Sequence, residues 1–199
     1  MKKLITGALA LLAVSFTLTS QAQKVRLAEG ELAALANEKE VNLEFDYSNM
    51  KVGKMTESDY VKKKTDEYNK KESGKGDNWA KAWVDDRETR FEPKFIQNFT
   101  QFSGITAGSL AGAKYTLKIV TTFTEPGFNI AIHRKNAEVN MEALLVETAN
   151  KDKVLGKVTI DKSPGGAWFD NDFDTGERIS EAYANAGRTL GSLVRSKAK

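Results

Sequence analysis

Four short runs of the chain alternate apolar and polar residues. In VNLEFDY (41–47), Val41, Leu43, Phe45 and Tyr47 share one face and Asn42, Glu44 and Asp46 the other. A period of two is the mark of a strand with one wet side. YTLKIVTTFT (115–124) repeats it with Tyr115, Leu117, Ile119 and Phe123; EVNMEALLVET (138–148) with Val139, Met141, Ala143 and Leu145; VLGKVTI (154–160) with Val154, Val158 and Ile160. ANKDK lies between the last two and reads as a polar hairpin turn. One-sided strands joined by a hairpin predict an antiparallel or mixed sheet with one covered face.

Helical periodicity supplies the cover. TESDYVKKKTDEYNKK opens on Thr56 with an acid three residues on, a helix-start signature, and is polar enough for a surface helix. ESGKGD breaks it. The next segment spaces Trp79 and Trp83 one turn apart and continues an apolar face through Phe95, Phe99 and Phe102, with Pro93 expected to kink or restart the helix. The last segment places Ile179, Ala182, Tyr183, Ala186, Leu190, Leu193 and Val194 on one stripe. Gly187 and Gly191 beside that stripe weaken a helix unless close packing, here expected against the sheet, requires them. Residues 24–40 are ambiguous between a strand, a turn and a helical piece. The expectation is a single α+β domain with a sheet of about four strands covered on one face by helices. Its expected order is strand, helix, helix, strand, strand, strand, helix.

The first residues change where this domain is expected to work. Lys2 and Lys3 precede an apolar run from Leu4 to Leu18, and Ser20 and Ala22 set small residues at the −3 and −1 positions of a cut. This reads as a secretory signal peptide over 1–22, shorter than the ~20 apolar residues of a spanning helix. The domain is then 23–199, in the periplasm or outside the cell. Removing 22 of the 199 residues leaves 177, and loss of Lys2 and Lys3 takes the net charge from +3 to +1. A nearly neutral domain has no broad electrostatic reason to bind nucleic acid. The absence of cysteine excludes disulfides, thiol catalysis, zinc–thiolate sites and iron–sulfur clusters.

Candidate chemistry is sparse. DNDFDTGERISE (170–181) sets Asp170, Asp172, Asp174 and Glu181 at four positions of an EF-type calcium loop, yet Thr175 stands where the glycine belongs. Its Asp-Thr-Gly has no second copy to complete an acid-protease dyad. The reading that accounts best for the residues is a helix cap, with Asp174 accepting from the first turn and Glu177 three residues on. His133 is the only histidine and has no zinc-spaced or serine-triad companion motif; no phosphate- or dinucleotide-binding glycine pattern exists, and no cofactor is expected.

The phrases VNLEFDYSNMKVGKMTESDYV, GKGDNWAKAWVDDR, TEPGFNI and DTGERISEAYANAGRTLGSLV together resemble a family of small exported proteins of Bacteroides-type bacteria. The carboxyl half is loosely similar to α/β domains of envelope lipoproteins, such as the amino-terminal domain of TolB and the periplasmic domain of the curli secretion channel. It departs from them in lacking a lipidated cysteine. The resemblance implies an envelope location and an α+β fold, and carries over no catalytic residues.

Three functions compete: a non-catalytic envelope protein that binds a protein partner or ligand, a carboxylate-based hydrolase, and a calcium-stabilised secreted module. For the first, two long connections matter, EPGFNIAIHRKNA and DKSPGGAWFDNDFD. Alternating strand directions should bring them to one end of the sheet. His133, Arg134 and Lys135 would then share a rim with Trp168, Phe169, Asp170 and Asp172, a surface of aromatics and both charge signs suited to recognition.

Overall fold

The structure is a computed structural model and describes residues 23–130, 133–166 and 174–198. The described chain opens with β1 (Lys24–Gly30), a 3-10 turn (Ala33–Leu35), β2 (Glu40–Asp46), and a small hairpin of β3 (Lys51–Val52) and β4 (Met55–Thr56). Then come α1 (Glu57–Asn69), α2 (Lys75–Asp86), a π-helical turn (Arg87–Phe91) and α3 (Glu92–Ser103). The second half holds β5 (Thr106–Gly108), β6 (Tyr115–Glu125), β7 (Phe128–Ile130), β8 (His133–Lys135), β9 (Ala137–Glu147), β10 (Asn150–Gly165) and α4 (Thr175–Lys197).

The fold is α+β in one domain, built on a mixed eight-stranded sheet in the order β1-β10-β9-β6-β2-β5, with β3 on β6 and β4 on β3. β2 runs parallel to β6 and β5, while β6, β9, β10 and β1 are antiparallel neighbours. Both the expected count of about four strands and the expected element order are corrected. The strands that interrupt the order are β1 and the two- or three-residue β3, β4, β5, β7 and β8. Pieces that short show no period, and β1 carries only Val25 and Leu27 as half-buried apolar residues.

The core face of the sheet follows the alternation. Leu117 lies opposite Leu145, and Ile119 opposite Ala143, all at most 1% exposed. Two details depart from it. A register shift between Thr121 and Phe123 turns Thr124 inward and leaves Phe123 half-buried rather than on the core face. Shifts on either side of Val154 leave that residue 47% exposed, and the hairpin turn is Thr148–Ala149, with β10 already resumed at Asn150.

α4 lies on the covered face with most of the expected stripe buried: Ile179, Ala182, Tyr183, Ala186, Leu190 and Val194 are each at most 1% exposed. α3 runs beside it in the same direction. A Cβ built on Gly187 falls 2.4 Å from the Phe95 carbonyl oxygen, and one on Gly191 falls 2.8 Å from that of Phe99. The glycines therefore admit a helix and not, as expected, the sheet. Pro93 sits in the first turn of α3, directly after the π-helical turn, where the helical run passes from the wider π bonding to α bonding. α1, capped by Thr56, buries none of its residues and leans on α2 through Tyr60, Tyr68, Trp79 and Trp83. Trp83 is buried and Trp79 half-buried, as a helix stripe requires.

Candidate functional site

The end of β6, the start of β9 and the end of β10 meet at one end of the sheet. Glu125 at the end of β6 pairs with Glu138 at the start of β9, and Gly165 at the end of β10 pairs with Ala137. β2 also ends here, since it runs parallel to β6. The first turns of α4 join them, because a Cβ on Gly165 would meet the carbonyl oxygen of Arg178 at 2.0 Å. The connections after β6 and after β10 thus depart from the same rim, as the alternation of strand directions requires.

The first connection is not the open loop expected. β7 and β8 pair only with each other, as a hairpin apart from the main sheet, with Phe128 opposite Lys135, Asn129 opposite Arg134 and Ile130 opposite His133. Directly opposed residues in an antiparallel pair share a face. Phe128, Ile130, His133 and Lys135 therefore line one face, and Asn129 and Arg134 the other. Phe128 is 41% and Ile130 66% exposed. His133, Arg134 and Lys135 are all exposed. Trp168, Phe169, Asp170 and Asp172 lie outside the described residues; the described chain reaches Gly166, where a Cβ would stand 3.3 Å from the Arg134 guanidinium.

The base of this hairpin is held firmly. Gly127 adopts φ +66, and a Cβ there would fall 2.4 Å from the Lys135 carbonyl oxygen, so the turn needs glycine on both counts. Glu125 accepts from the Gly127 N–H and, at 2.5 Å, from Lys135 Nζ. Arg178, only 3% exposed, donates to the carbonyls of Pro126 (3.3 Å) and Gly127 (3.4 Å) and to Thr175 Oγ1 (3.1 Å). A buried guanidinium is tolerated when its donors are satisfied, and its planar fork suits a row of carbonyls. α4 thereby clamps the root of the projecting hairpin. The sequence reading missed Arg178, Phe128 and Ile130. The one available signal was an arginine beside the apolar stripe at Ile179; the three-residue strands that carry Phe128 and Ile130 show none.

The acidic segment resolves through its last member. Asp174 is the N-cap of α4: its Oδ1 accepts from the N–H groups of Gly176 (2.8 Å) and Glu177 (3.3 Å). Its Oδ2 accepts from Arg90 at 2.8 Å, and Arg90 also pairs with Asp86. Burial alone would raise the Asp174 carboxyl; the Arg90 bond and the two helix N–H groups outweigh it and hold the carboxyl below its ordinary range. Burial raises neighbouring Asp86, against the pull of Arg90. Because α4 begins at Thr175, Glu181 sits two turns along a helix, paired with Lys94 at 2.9 Å. It therefore does not close back on Asp174 as the twelfth position of an EF-type loop would. A groove of about 470 Å³ runs between α3 and the start of α4, lined by Arg90, Lys94, Gln97, Asp174 and Glu177. Its two cations are engaged in the ion pairs just described.

Behind the rim, a polar cluster ties α1, the π-helical turn and the sheet together. Glu57 accepts from Trp83 Nε1 at 2.7 Å and from Arg87. Arg87 stacks on Tyr47 at 4.4 Å, and the Tyr47 hydroxyl donates to Glu92 at 3.2 Å. Burial pushes Tyr47 and Glu92 upward, Glu92 despite the hydrogen bond it receives. Tyr183, fully buried, shares a 2.8 Å hydrogen bond with Thr121. Each of these polar groups is matched to a neighbour, which makes the cluster a structural tie.

Among the described residues, no helix is long and apolar enough to cross a membrane, and no group of three or more His, Asp or Glu is placed to hold a metal ion. No protein-family model matches the chain, and no curated protein matches it in sequence. Solved structures similar to it include the PelC dodecamer from Paraburkholderia phytofirmans, at 12% identity and TM-score 0.44, covering 89% of this chain and 99% of that one. A point variant of the same dodecamer gives 11% identity and TM-score 0.44, covering 89% of this chain and 100% of that one.

Proposed function

We propose that the chain is a non-catalytic protein of the cell envelope, exported by its leader, that binds a protein partner or ligand through the rim at one end of its sheet. The observation that carries this reading is the β7–β8 hairpin. Among the described residues only four large apolar side chains are exposed, Val84, Phe128, Ile130 and Val154, and two of the four share one face of this three-residue-long hairpin. Exposed apolar groups concentrated on a clamped, projecting element are a mark of recognition, while singly scattered ones are ordinary. His133 and Lys135 on the same face give it a polar border, the usual layout of a small contact surface. Trp168, Phe169, Asp170 and Asp172 of the second connection stay candidate contact residues of the proposed surface, although they lie outside the described residues.

The test is site-specific photocrosslinking in the intact envelope of the producing cell. A photoreactive side chain at Ile130 should give a discrete adduct that disappears when Phe128 is changed to Ser. The same group at Val154, at the far end of β10, should give none. Equal labelling from both positions, or none from Ile130, would sink the binding reading. Cell fractionation in the same experiment reports the compartment.

A further inference from the structure

The expected cleavage after Ala22 would make Gln23 the first residue of the mature chain, and the fold holds that side chain by two hydrogen bonds. Gln23 Nε2 donates to Thr189 Oγ1 at 2.8 Å and to Ser163 Oγ at 3.1 Å. Neither hydroxyl has its own proton to spare for this contact. Ser163, 0% exposed, donates to the Ala182 carbonyl at 2.8 Å, and Thr189 lies 3.0 and 3.1 Å from the Asn185 and Ala186 carbonyls on α4. Both therefore turn lone pairs toward Gln23, and together they form a receptor for a group with two N–H donors. The clasp spans the seam between β10 and α4, at the point where the chain enters β1.

We infer that this clasp is a control on a covalent modification: Gln23 is a terminus able to cyclise to pyroglutamate, and the folded domain holds it open. In cyclisation the neutral α-amine attacks Cδ of its own side chain. The new Cδ–N bond closes a five-membered lactam, the Cδ–Nε2 bond breaks, and Nε2 leaves as ammonia with the proton shed by the amine. No oxidant or co-reactant is needed. The atom that departs is the one that makes both hydrogen bonds, so the product loses the two together by stoichiometry. It leaves the lone pairs of Ser163 and Thr189 facing an empty, partly buried position, which is the unfavourable half of a broken hydrogen bond. It also loses the terminal positive charge. The open form anchors the edge strand β1 to α4; the cyclised form releases that anchor. This rests on the cleavage position and is independent of the rim's binding role.

Intact-mass measurement on the mature protein purified after export tests it. The expected species begins at Gln23 without the loss of one ammonia. Incubated near pH 8, where much of an α-amine is neutral, the native protein should cyclise about tenfold more slowly than the same chain in strong urea, the scale expected of two hydrogen bonds. Ser163→Ala and Thr189→Val should each bring the native rate closer to the unfolded one. Thr189→Ser, which keeps the hydroxyl, should stay slow, and all four chains should cyclise alike in urea. The urea arm and a circular dichroism spectrum separate loss of the clasp from failure to fold. A native rate equal to the unfolded rate overturns the inference, and so does a mature chain that begins elsewhere than at Gln23 or arrives already cyclised.

Discussion

Substituting Gly187 by Ala separates two effects of opposite sign. Taken as a residue of an isolated helix, Ala is favoured over Gly by about 1 kcal/mol. In the folded domain a Cβ at 187 would lie 2.4 Å from the Phe95 carbonyl oxygen and 3.1 Å from Phe95 Cα, both backbone atoms of α3 that no rotamer change can move. Restoring an ordinary contact of 3.4 Å requires α3 and α4 to part by about 1 Å. A gap of that size forfeits a quarter to a half of each close contact along the seam. The seam includes Phe95, Phe99, Tyr183 and Leu190, all at most 1% exposed. Overpacking costs about 1–3 kcal/mol, and a backbone-on-backbone clash belongs at the upper end. Against the gain in propensity the net expectation is a loss of about 2 kcal/mol, or a fall in Tm of about 4–8 °C at this chain length. Urea unfolding followed by tryptophan fluorescence measures it, with Gly112→Ala as control, since nothing lies within 4 Å of a Cβ there. The control should fall within about 0.5 kcal/mol of the parent. If Gly187→Ala proves as stable as the parent or more so, the close approach of the two helices is wrong.

Asp174→Ala should lower stability by about 1 kcal/mol through loss of the α4 cap, the exposed Arg90 pair adding less. Since the folded Asp174 pKa is depressed, its contribution is present above the ordinary carboxylate value, near 3.9, and is lost as the pH falls through the lower folded value. The gap between parent and variant in urea midpoint should therefore close below about pH 4, and a gap that persists there would remove the carboxylate from the explanation. Tyr183→Phe strips the buried Thr121 hydroxyl of its partner and should cost about 1–3 kcal/mol; restoration of stability by the double change with Thr121→Val would confirm that the cost lies in the unpaired hydroxyl. Arg178→Met keeps the stem but withdraws the donors from Pro126 and Gly127, so amide exchange at 127–135 should accelerate while β6 and β9 stay protected; unchanged exchange in the hairpin would show that Arg178 does not clamp it.

Much of the architecture was legible because it rests on long, regular elements. The period of two in 115–124 and 138–148, and the period of 3.6 in α4, each extend over ten residues or more, and an error at one position does not hide the face. The α4 cap was legible for a local reason: Asp174 meets N–H groups two and three residues away, so the interaction is written within a single turn. The direction of successive strands, and with it the shared rim of the two long connections, followed from the alternation of antiparallel neighbours.

What the tertiary structure decided were the properties that depend on partners distant in sequence. β3, β4, β5, β7 and β8 are each three residues or fewer, stabilised by pairing with another segment, so no pattern within them announces a strand. Register shifts at Thr121–Phe123 and around Val154 invert which side chains face inward, and a bulge depends on how two strands meet. The glycines of α4 announced a close approach but not the partner, because their lack of a side chain is equally compatible with a sheet or a helix lying above. In the same way Arg178 reads as a surface charge until Pro126 and Gly127 bring their carbonyls to it, and Gln23 reads as a leader remnant until Ser163 and Thr189 present their lone pairs. Periodicity along the chain encodes which face of an element is buried; it carries no term for what that face will meet, and the meeting of residues 51 to 166 positions apart is what built both the clamp on the hairpin and the clasp on Gln23.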